Sequence, residues 1–275
     1  MTRLGPPGRG HRPLITSPLF AGSAVVHLGA AAAVLVDMQT LPWALGALVA
    51  NHGVLATAGL LPRSSLLGSN WTRLPAASGA RGEVAITIDD GPDPAVTPRV
   101  LARLEQYGAQ ATFFCIGDRV ERYADLAREI VHRGHAIENH SQRHRHNFSL
   151  LGPAAMMAEI ARAQDTITRV TGSSPRFFRA PAGLRNLFLD PVLERLRLRL
   201  ASWTRRGFDT QCGDAGTVYR RLAEPLRGGD ILLLHDGNAA RDTAGEPVLL
   251  EVLPRLLDAM AERRLRPITL RAALP

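Results

Sequence analysis

The sequence predicts an α/β domain built on parallel strands and preceded by a pair of long apolar helices. From Arg81 onward, short β-rich runs alternate with amphipathic stretches, and such alternation is typical of an α/β layer or barrel. Before that point, two apolar runs approach the length of a membrane span. With 45% hydrophobic residues and two cysteines among 275 residues, the chain is neither a disordered tail nor a disulfide scaffold.

The first element is a predicted transmembrane helical hairpin over residues 19–62. The run 19–36 is broken only by His27, the run 41–61 only by Asn51 and His52, and four polar-rich residues join the two. A soluble helix would show a polar stripe, so we expect both runs to cross the membrane, with helix-to-helix hydrogen bonds satisfying their few polar groups. Buried core helices, or a cleaved signal peptide that uses the first run, are the alternatives.

Positive charge flanks this hairpin. All 33 basic residues are arginine, and with 25 acidic residues the net charge is +8. Six arginines and one acid, Asp37 of the connecting turn, lie within residues 1–82, so this part of the chain carries a net charge of +5. The six arginines all lie in the basic segment 1–18 and the linker 63–82, on either side of the spans. Such flanks mark the cytoplasmic side, so we expect the following domain on the cytoplasmic face of the cell's inner membrane. An outward-facing domain is the alternative. No nucleic-acid motif accompanies the charge, so no nucleic acid is expected as a partner.

The domain over residues 83–275 is predicted to alternate strands and helices. Short apolar or β-branched runs indicate strands at 84–88, 111–116, 135–139, 176–179, 198–203, 231–235 and 266–270. Helical spacing of apolar residues indicates helices at 98–107, 118–132, 153–171, 191–196, 215–226 and 247–264. Four of these helices begin at a proline, which suits a first helical turn, and Thr97 is a candidate N-cap. In folds of this kind the chemistry gathers at the carboxyl ends of the strands.

The first candidate group follows the strand 84–88. Asp89 and Asp90 are adjacent carboxylates that repel each other unless a positive group separates their roles, for example a metal ion on one and a proton on the other. Gly91 and Pro92 then turn the chain. An ordinary turn rich in Asp, Gly and Pro is the alternative interpretation.

A second group, His140 and His144, follows the strand that ends at Asn139. If this segment is helical, the spacing of four places both imidazoles on one face, where they can share a cation with Asp90. Two histidines and one carboxylate leave coordination positions open, as in catalytic metal sites. An exposed histidine-rich loop is the alternative.

Two further strand ends carry single candidates. His235 closes the apolar strand 231–235, and an imidazole there has the pKa for proton transfer near neutral pH. A satisfied core histidine is the alternative. Arg179 ends the strand 176–179 and can hold a carboxylate such as Asp89 by a bidentate pair. All these strand ends project onto one rim, which favours a functional site.

These segments resemble the ordered motifs of the polysaccharide deacetylases, the NodB-homology domain of carbohydrate esterase family four. The matching segments are TIDDGP at 87–92, HSQRH at 140–144, RAPAG at 179–183 and LLLH at 232–235. The resemblance covers about residues 83–270. It implies a distorted (β/α) barrel that binds a divalent metal ion, usually zinc. It also implies hydrolysis of the N-acyl group, usually acetyl, of an amino sugar.

The resemblance implies a role for each matching residue. Asp89 would be the catalytic base, and Arg179 would orient it. The metal ligands would be Asp90, His140 and His144. His235 would be the general acid, with Asp209 at the looser fourth motif tuning it, and a backbone N–H near Ala182 would hold the oxyanion.

The chain departs from the family pattern at two positions. Ala182 and Thr210 stand where aromatic residues commonly line the sugar groove, and Phe208 or Trp203 would have to compensate. Neither departure affects the expected metal ligands. The missing aromatic residues favour an oligosaccharide or a lipid-linked glycan beside the membrane over a long polymer strand as the substrate. The alternative function is a catalytically degenerate, membrane-anchored carbohydrate-binding module with the same fold.

Overall fold

The structure is a computed structural model that describes residues 18–274, and its first two helices form a hairpin. Helix α1 spans Pro18–Val36 and α2 spans Leu41–Leu60, joined by a 3-10 turn at Met38–Thr40. Asn51 Nδ2 donates a hydrogen bond of 2.8 Å to Ser23 Oγ on the other helix. The predicted helix-to-helix hydrogen bonding is therefore confirmed for Asn51.

The outer faces of the hairpin are apolar and exposed. Both helices are long and apolar enough to cross a membrane, and none of the first span is buried. Leu35, Trp43 and Val49 are between 73 and 86% exposed, so no residue within 18–274 covers this large apolar surface. The basic flank predicted ahead of the hairpin lies in residues 1–17, outside the described residues.

The remaining elements alternate between strands and helices. The strands are β1 Glu83–Asp89, β2 Thr112–Cys115, β3 Ala136–Asn139, β4 Phe177–Phe178, β5 Arg199–Leu200, β6 Arg205–Arg206, β7 Ile231–His235 and β8 Arg266–Ile268. The helices are α3 Ala76–Ala80, α4 Thr97–Gln106, α5 Gly117–Arg122, α6 Ala124–His132, α7 Pro153–Thr171, α8 Leu189–Arg195, α9 Ala215–Ala223 and α10 Leu249–Glu262. Every ladder between these strands is parallel. The predicted α/β barrel is confirmed.

The barrel is distorted because it is not closed between its two edge strands. The sheet order is β5-β4-β3-β2-β1-β7-β6, and β8 pairs with the beginning of β1. Among the described residues no ladder joins the edge strands β5 and β6. Instead the chain itself crosses from one to the other through residues 201–204. Trp71 of the linker bridges to Ala201 at this crossing, so the linker packs on the barrel.

The central strands bring the candidate residues to one rim. β1 is buried along its whole length and lies between β2 and β7, under α4, α9 and α10. The parallel register pairs Asp89 with His235 and Asn139 with Phe178. The residues that follow β1, β3, β4 and β7 therefore emerge together at the carboxyl edge of the sheet.

Two local predictions are wrong, and one strand was not predicted. The helix predicted at 118–132 is two helices, α5 and α6, broken at Tyr123. Thr97 is not an N-cap, because it is the first helical residue and its hydroxyl donates to Asp236 instead. The strand β6 was not expected, because a two-residue strand shows no alternation of apolar and polar residues.

Candidate active site at the carboxyl rim

Asp89 and Asp90 lie at the end of β1 and point to different partners. Asp89 is the last residue of the strand, while Asp90 has a φ of 72°, in the left-handed region that aspartate tolerates better than most residues. This change of backbone direction separates the two carboxylates. One turns to a buried arginine and the other to the two histidines, as the sequence pattern predicts.

Arg179 holds Asp89 from below the rim. Its side chain is 1% exposed, and Nη1 donates to Asp89 Oδ1 and to Thr87 Oγ1, each at 2.7 Å. The other guanidinium nitrogens donate to the carbonyls of Ala201 and Ser202, where the chain crosses between β5 and β6. The expectation of a bidentate pair is therefore wrong. Only Nη1 donates to Asp89, because Nε and Nη2 donate to the two backbone carbonyls of the crossing.

Asp90, His140 and His144 converge on one point. Asp90 Oδ1 lies 3.3 Å from Nε2 of each histidine, and the three candidate ligand atoms all lie within 4.8 Å of one another. Asp90 Oδ1 is buried and has no well-aligned hydrogen-bond donor among the described residues. A buried carboxylate oxygen without a donor, facing two imidazole nitrogens, is the donor set that a divalent cation such as zinc satisfies.

The surroundings hold these imidazoles in a ligating orientation. His140 Nδ1 is 2.8 Å from the backbone carbonyl of Arg179, which leaves Nε2 directed at Asp90. His140 is buried, and His144 is one-quarter exposed on its side chain, so the cluster is open on one side. Burial lowers the pKa of His144 to about 4, an effect that nearby His140 reinforces, and this favours the neutral, metal-ligating form.

The segment that carries the two histidines is not helical, so the predicted helical face is wrong. Ser141 and His144 both have positive φ, at 64° and 49°. The Asn139 side chain accepts from the Ser141 N–H, and Ser141 Oγ accepts from the His144 N–H. The chain therefore folds back in a tight turn, which brings the imidazoles together as a helix would have done.

His235 lies opposite, held by Asp209. Asp209 Oδ1 is 2.9 Å from His235 Nδ1, and Oδ2 accepts the His235 backbone N–H at 2.7 Å. Burial would lower the pKa of His235, but the charge and hydrogen bond of the buried Asp209 carboxylate, together with the charges of Asp89 and Asp90, outweigh burial, and the pKa is raised. A histidine held this way is oriented and biased toward the imidazolium form.

Sequence reasoning missed two buried groups near the site. Thr87 shares Arg179 Nη1 with Asp89. Asp236, directly after His235, is buried, and burial raises its pKa to about 7. A Cβ on Gly91 would lie 2.5 Å from Asp236 Oδ1, which explains glycine at that position. The adjacent His-Asp pair at a strand end was the available signal for Asp236.

The aromatic residues near the rim have different exposure. Trp203 is 7% exposed and packs as a core residue, whereas Phe208 is 42% exposed beside Asp209. Ala182 has a φ of 54° in the loop after Arg179. Only Phe208 of the two candidates is therefore available to a ligand at the rim.

The fold and the site together define an α/β-barrel protein with a cluster of carboxylates and histidines at its carboxyl rim. Residues 77–201 match the polysaccharide deacetylase family. The peptidoglycan-N-acetylglucosamine deacetylase of Bacillus cereus is 34% identical over 175 residues, which are 63% of this chain and 81% of that protein. The chitooligosaccharide deacetylase of Azorhizobium caulinodans is 34% identical over 57% of this chain and 75% of that protein.

A solved structure shows the same fold. A family 4 carbohydrate esterase pseudoenzyme from Bacillus anthracis superposes with a TM-score of 0.67 at 20% identity, covering 75% of this chain and 69% of that one. The Bacillus cereus relative, 34% identical with 81% of its length covered, shows that the chain belongs to the polysaccharide deacetylase family. The expected family is confirmed.

Proposed function

We propose that the protein is a metal-dependent hydrolase that removes an N-acyl group, acetyl in the simplest case, from an amino sugar. One observation carries the proposal: the fold brings Asp89, His235 and the cluster of Asp90, His140 and His144 to one rim. His140 Nε2 lies 3.8 Å from Asp89 Oδ2, so the base candidate borders the cluster. This arrangement supports hydrolysis over a degenerate binding module, because a module that only binds sugar does not require a base, an acid and three metal ligands together.

Amide hydrolysis needs a base for the water and an acid for the leaving amine. Asp90, His140 and His144 would hold a divalent metal ion, which would supply a Lewis acid for the carbonyl and for water. Asp89, held by Arg179, accepts the proton of the attacking water. His235, protonated and oriented by Asp209, donates a proton to the amine as the C–N bond breaks. The backbone N–H of Ala182 is the proposed oxyanion donor.

The substrate class follows from the relatives and from the rim. The curated relatives are named for N-acetylglucosamine in peptidoglycan and for chitooligosaccharides. Here the rim offers a single exposed aromatic residue, Phe208, among the residues discussed above. This supports a short amino-sugar glycan, free or lipid-linked, over a long polymer strand.

The exposed apolar hairpin supports membrane anchoring. Its surface would otherwise face water with side chains that favour hydrocarbon. Arginines follow the hairpin and none lies in its connecting turn, which supports a multi-pass inner-membrane protein with its barrel on the cytoplasmic side. The proposed organisation is a basic segment 1–18, spans within 19–62, a linker 63–82 and a catalytic domain 83–275.

Metal analysis and amine release test the enzymatic proposal. Purified full-length protein is expected to contain about one equivalent of zinc or another divalent metal and to release amine from N-acetyl chitooligosaccharides. His144→Ala is expected to lose the metal and the activity together. His146→Ala is the matched control, because His146 is exposed and lies outside the cluster. A metal-loaded protein that releases no amine from any N-acyl amino sugar would favour the binding module.

Fusions test the topology. Alkaline phosphatase or a fluorescent protein is fused after residue 82, at the end of the linker. A cytoplasmic barrel gives fluorescence and no phosphatase activity. Phosphatase activity contradicts the cytoplasmic orientation and places the domain outside.

A further inference from the structure

A basic cavity lies beside the rim, between the end of the apolar hairpin and the barrel. Its volume is about 440 Å³. Pro62 and Arg63 line it from the end of the hairpin, residues 203–204 from the crossing, and residues 205–206 from β6. The remaining lining residues are Phe208 and Arg221. No residue assigned to the proposed hydrolysis lines this cavity.

Three of its four arginines have no acidic partner in the described part of the chain. Arg205 is neutralised by Asp230, at 3.0 Å. Arg63, Arg206 and Arg221 have no carboxylate oxygen within 4.0 Å among the described residues. The cavity therefore concentrates uncompensated positive charge at one place, which favours an anionic ligand.

Arg206 is held ready for such a ligand. Its guanidinium lies over the rings of Trp203 and Phe208, at 5.5 and 4.8 Å from their centroids. Its Nε is buried and has no hydrogen-bond partner among the described residues. A buried guanidinium N–H without an acceptor is costly, and an oxyanion in the cavity satisfies it. Arg221 lies over the Phe208 ring as well, at 5.5 Å, so one aromatic ring orients two arginines.

The cavity borders both the site and the hairpin. Phe208 is adjacent to Asp209, which holds His235. Trp203 lies against Gly183 of the loop after Arg179, since a Cβ on that glycine would meet the indole at 2.6 Å. Pro62 and Arg63 lie two and three residues after the end of α2. An anion bound here would therefore be close to the reacting sugar and close to the membrane end of the hairpin.

We infer that this cavity binds a phosphate or diphosphate group carried by the amino-sugar substrate. The inference rests on the proposed function and narrows its substrate class. Planar guanidinium groups recognise phosphate oxygens bidentately, and three arginines without a carboxylate partner among the described residues match the charge of a diphosphate. The group has two sources, a membrane lipid carrier or a soluble sugar phosphate. Neutral chitooligosaccharide lacks it.

The test compares three acetylated substrates with the full-length protein in nanodiscs. They are N-acetylglucosamine linked through diphosphate to a polyprenyl lipid, N-acetylglucosamine 1-phosphate, and a neutral methyl N-acetylglucosaminide. We expect kcat/KM to be at least about tenfold higher for a phosphate-bearing substrate, the equivalent of one charge-assisted hydrogen bond. Preference for the lipid-linked substrate alone identifies a membrane carrier as the source. Preference for both identifies phosphate itself. Equal kcat/KM for all three overturns the inference.

Variants assign the effect to the cavity. The double variant Arg206→Gln/Arg221→Gln is expected to lower kcat/KM at least about tenfold more for the phosphate-bearing substrate than for the neutral one. Arg195→Gln, on the exposed face of α8, is the matched control and leaves both unchanged. An equal loss on both substrates assigns these arginines to the fold and overturns the inference.

A binding measurement separates this inference from the proposed function. Inorganic pyrophosphate is titrated into the wild type and into Arg206→Lys, which keeps the charge and loses the planar fork. We expect binding by the wild type and at least roughly tenfold weaker binding by the variant. If the protein hydrolyses no N-acyl sugar yet binds pyrophosphate in this way, the proposed function is wrong and the inference that the cavity binds phosphate is retained. If it deacetylates sugars and shows no such binding, only the cavity inference fails.

Discussion

Asp209→Asn is expected to slow amide hydrolysis about 10- to 150-fold, because a charge-assisted hydrogen bond contributes ~1.5–3 kcal/mol. Asp209 is fully buried, and its two carboxylate oxygens accept from His235 Nδ1–H and from the His235 backbone N–H. An amide offers a single oxygen, so one of these two donors loses its acceptor. The imidazole then loses both its orientation and the charge that favours its protonated form.

The Asp209→Asn variant should also change how the hydrolysis rate depends on pH. The Asp209 carboxylate raises the pKa of His235, so the wild type keeps an imidazolium to higher pH than an isolated histidine would. Removing that charge lowers the pKa, and the alkaline limb of the rate profile moves to lower pH. The acid limb belongs to other groups and stays in place.

The assay is kcat/KM for a chitooligosaccharide across pH, with the metal content measured in each preparation. Asp165→Asn is the matched control, since Asp165 is exposed on α7 and has no ion pair among the described residues. An unchanged alkaline limb with an equal loss of rate at every pH would refute an acid role for His235, because it would show that Asp209 acts on the fold alone.

Three further predictions concern the base, its partner and a remote histidine. Asp89→Asn is expected to keep the metal and lose activity at least about 100-fold, as for a removed general base; metal content and amine release check this, and substantial turnover contradicts the base role. Arg179→Met breaks a fully buried ion pair, and urea unfolding is expected to show a loss of ~3–5 kcal/mol; a loss near zero contradicts the account of Asp89. Burial, with nearby Arg133, lowers the pKa of His135 to about 4, so the unfolded chain binds its proton first. The free energy of unfolding should then fall by up to about 3 kcal/mol as pH drops from 6.5 to about 4. His135→Asn should reduce this fall, measured by urea unfolding at each pH. The same dependence on pH in the wild type and the variant would refute the role of His135.

Elements with a complete local signal were predicted from the sequence to the residue. The helix Pro153–Thr171 starts at a proline and ends before Gly172, whose φ of 72° suits a glycine after a helix. The strand Ile231–His235 is a run of buried aliphatic residues between an acid and a polar turn. In both elements, the residues that define each boundary lie within a few positions of that boundary.

Elements that depend on distant partners were not predicted. The strand β6 exists because Arg205 and Arg206 pair with Leu232 and Leu233, and nothing in its two residues indicates this. The break at Tyr123 likewise has no glycine or proline to mark it. Tertiary contacts override weak local preference in such short segments.

The candidate residues and their strand-end positions follow from the sequence, since parallel strands must deliver their carboxyl ends to one edge of the sheet. The tertiary structure decided how those residues meet. It bends residues 140–144 into a turn, gives Asp89 a single arginine nitrogen, and stacks Arg206 over two aromatic rings next to the end of the hairpin. The physical reason is that spacing along a chain specifies which side chains share an edge, whereas distances of 3 Å between groups 50 to 150 residues apart depend on the packing of the whole barrel.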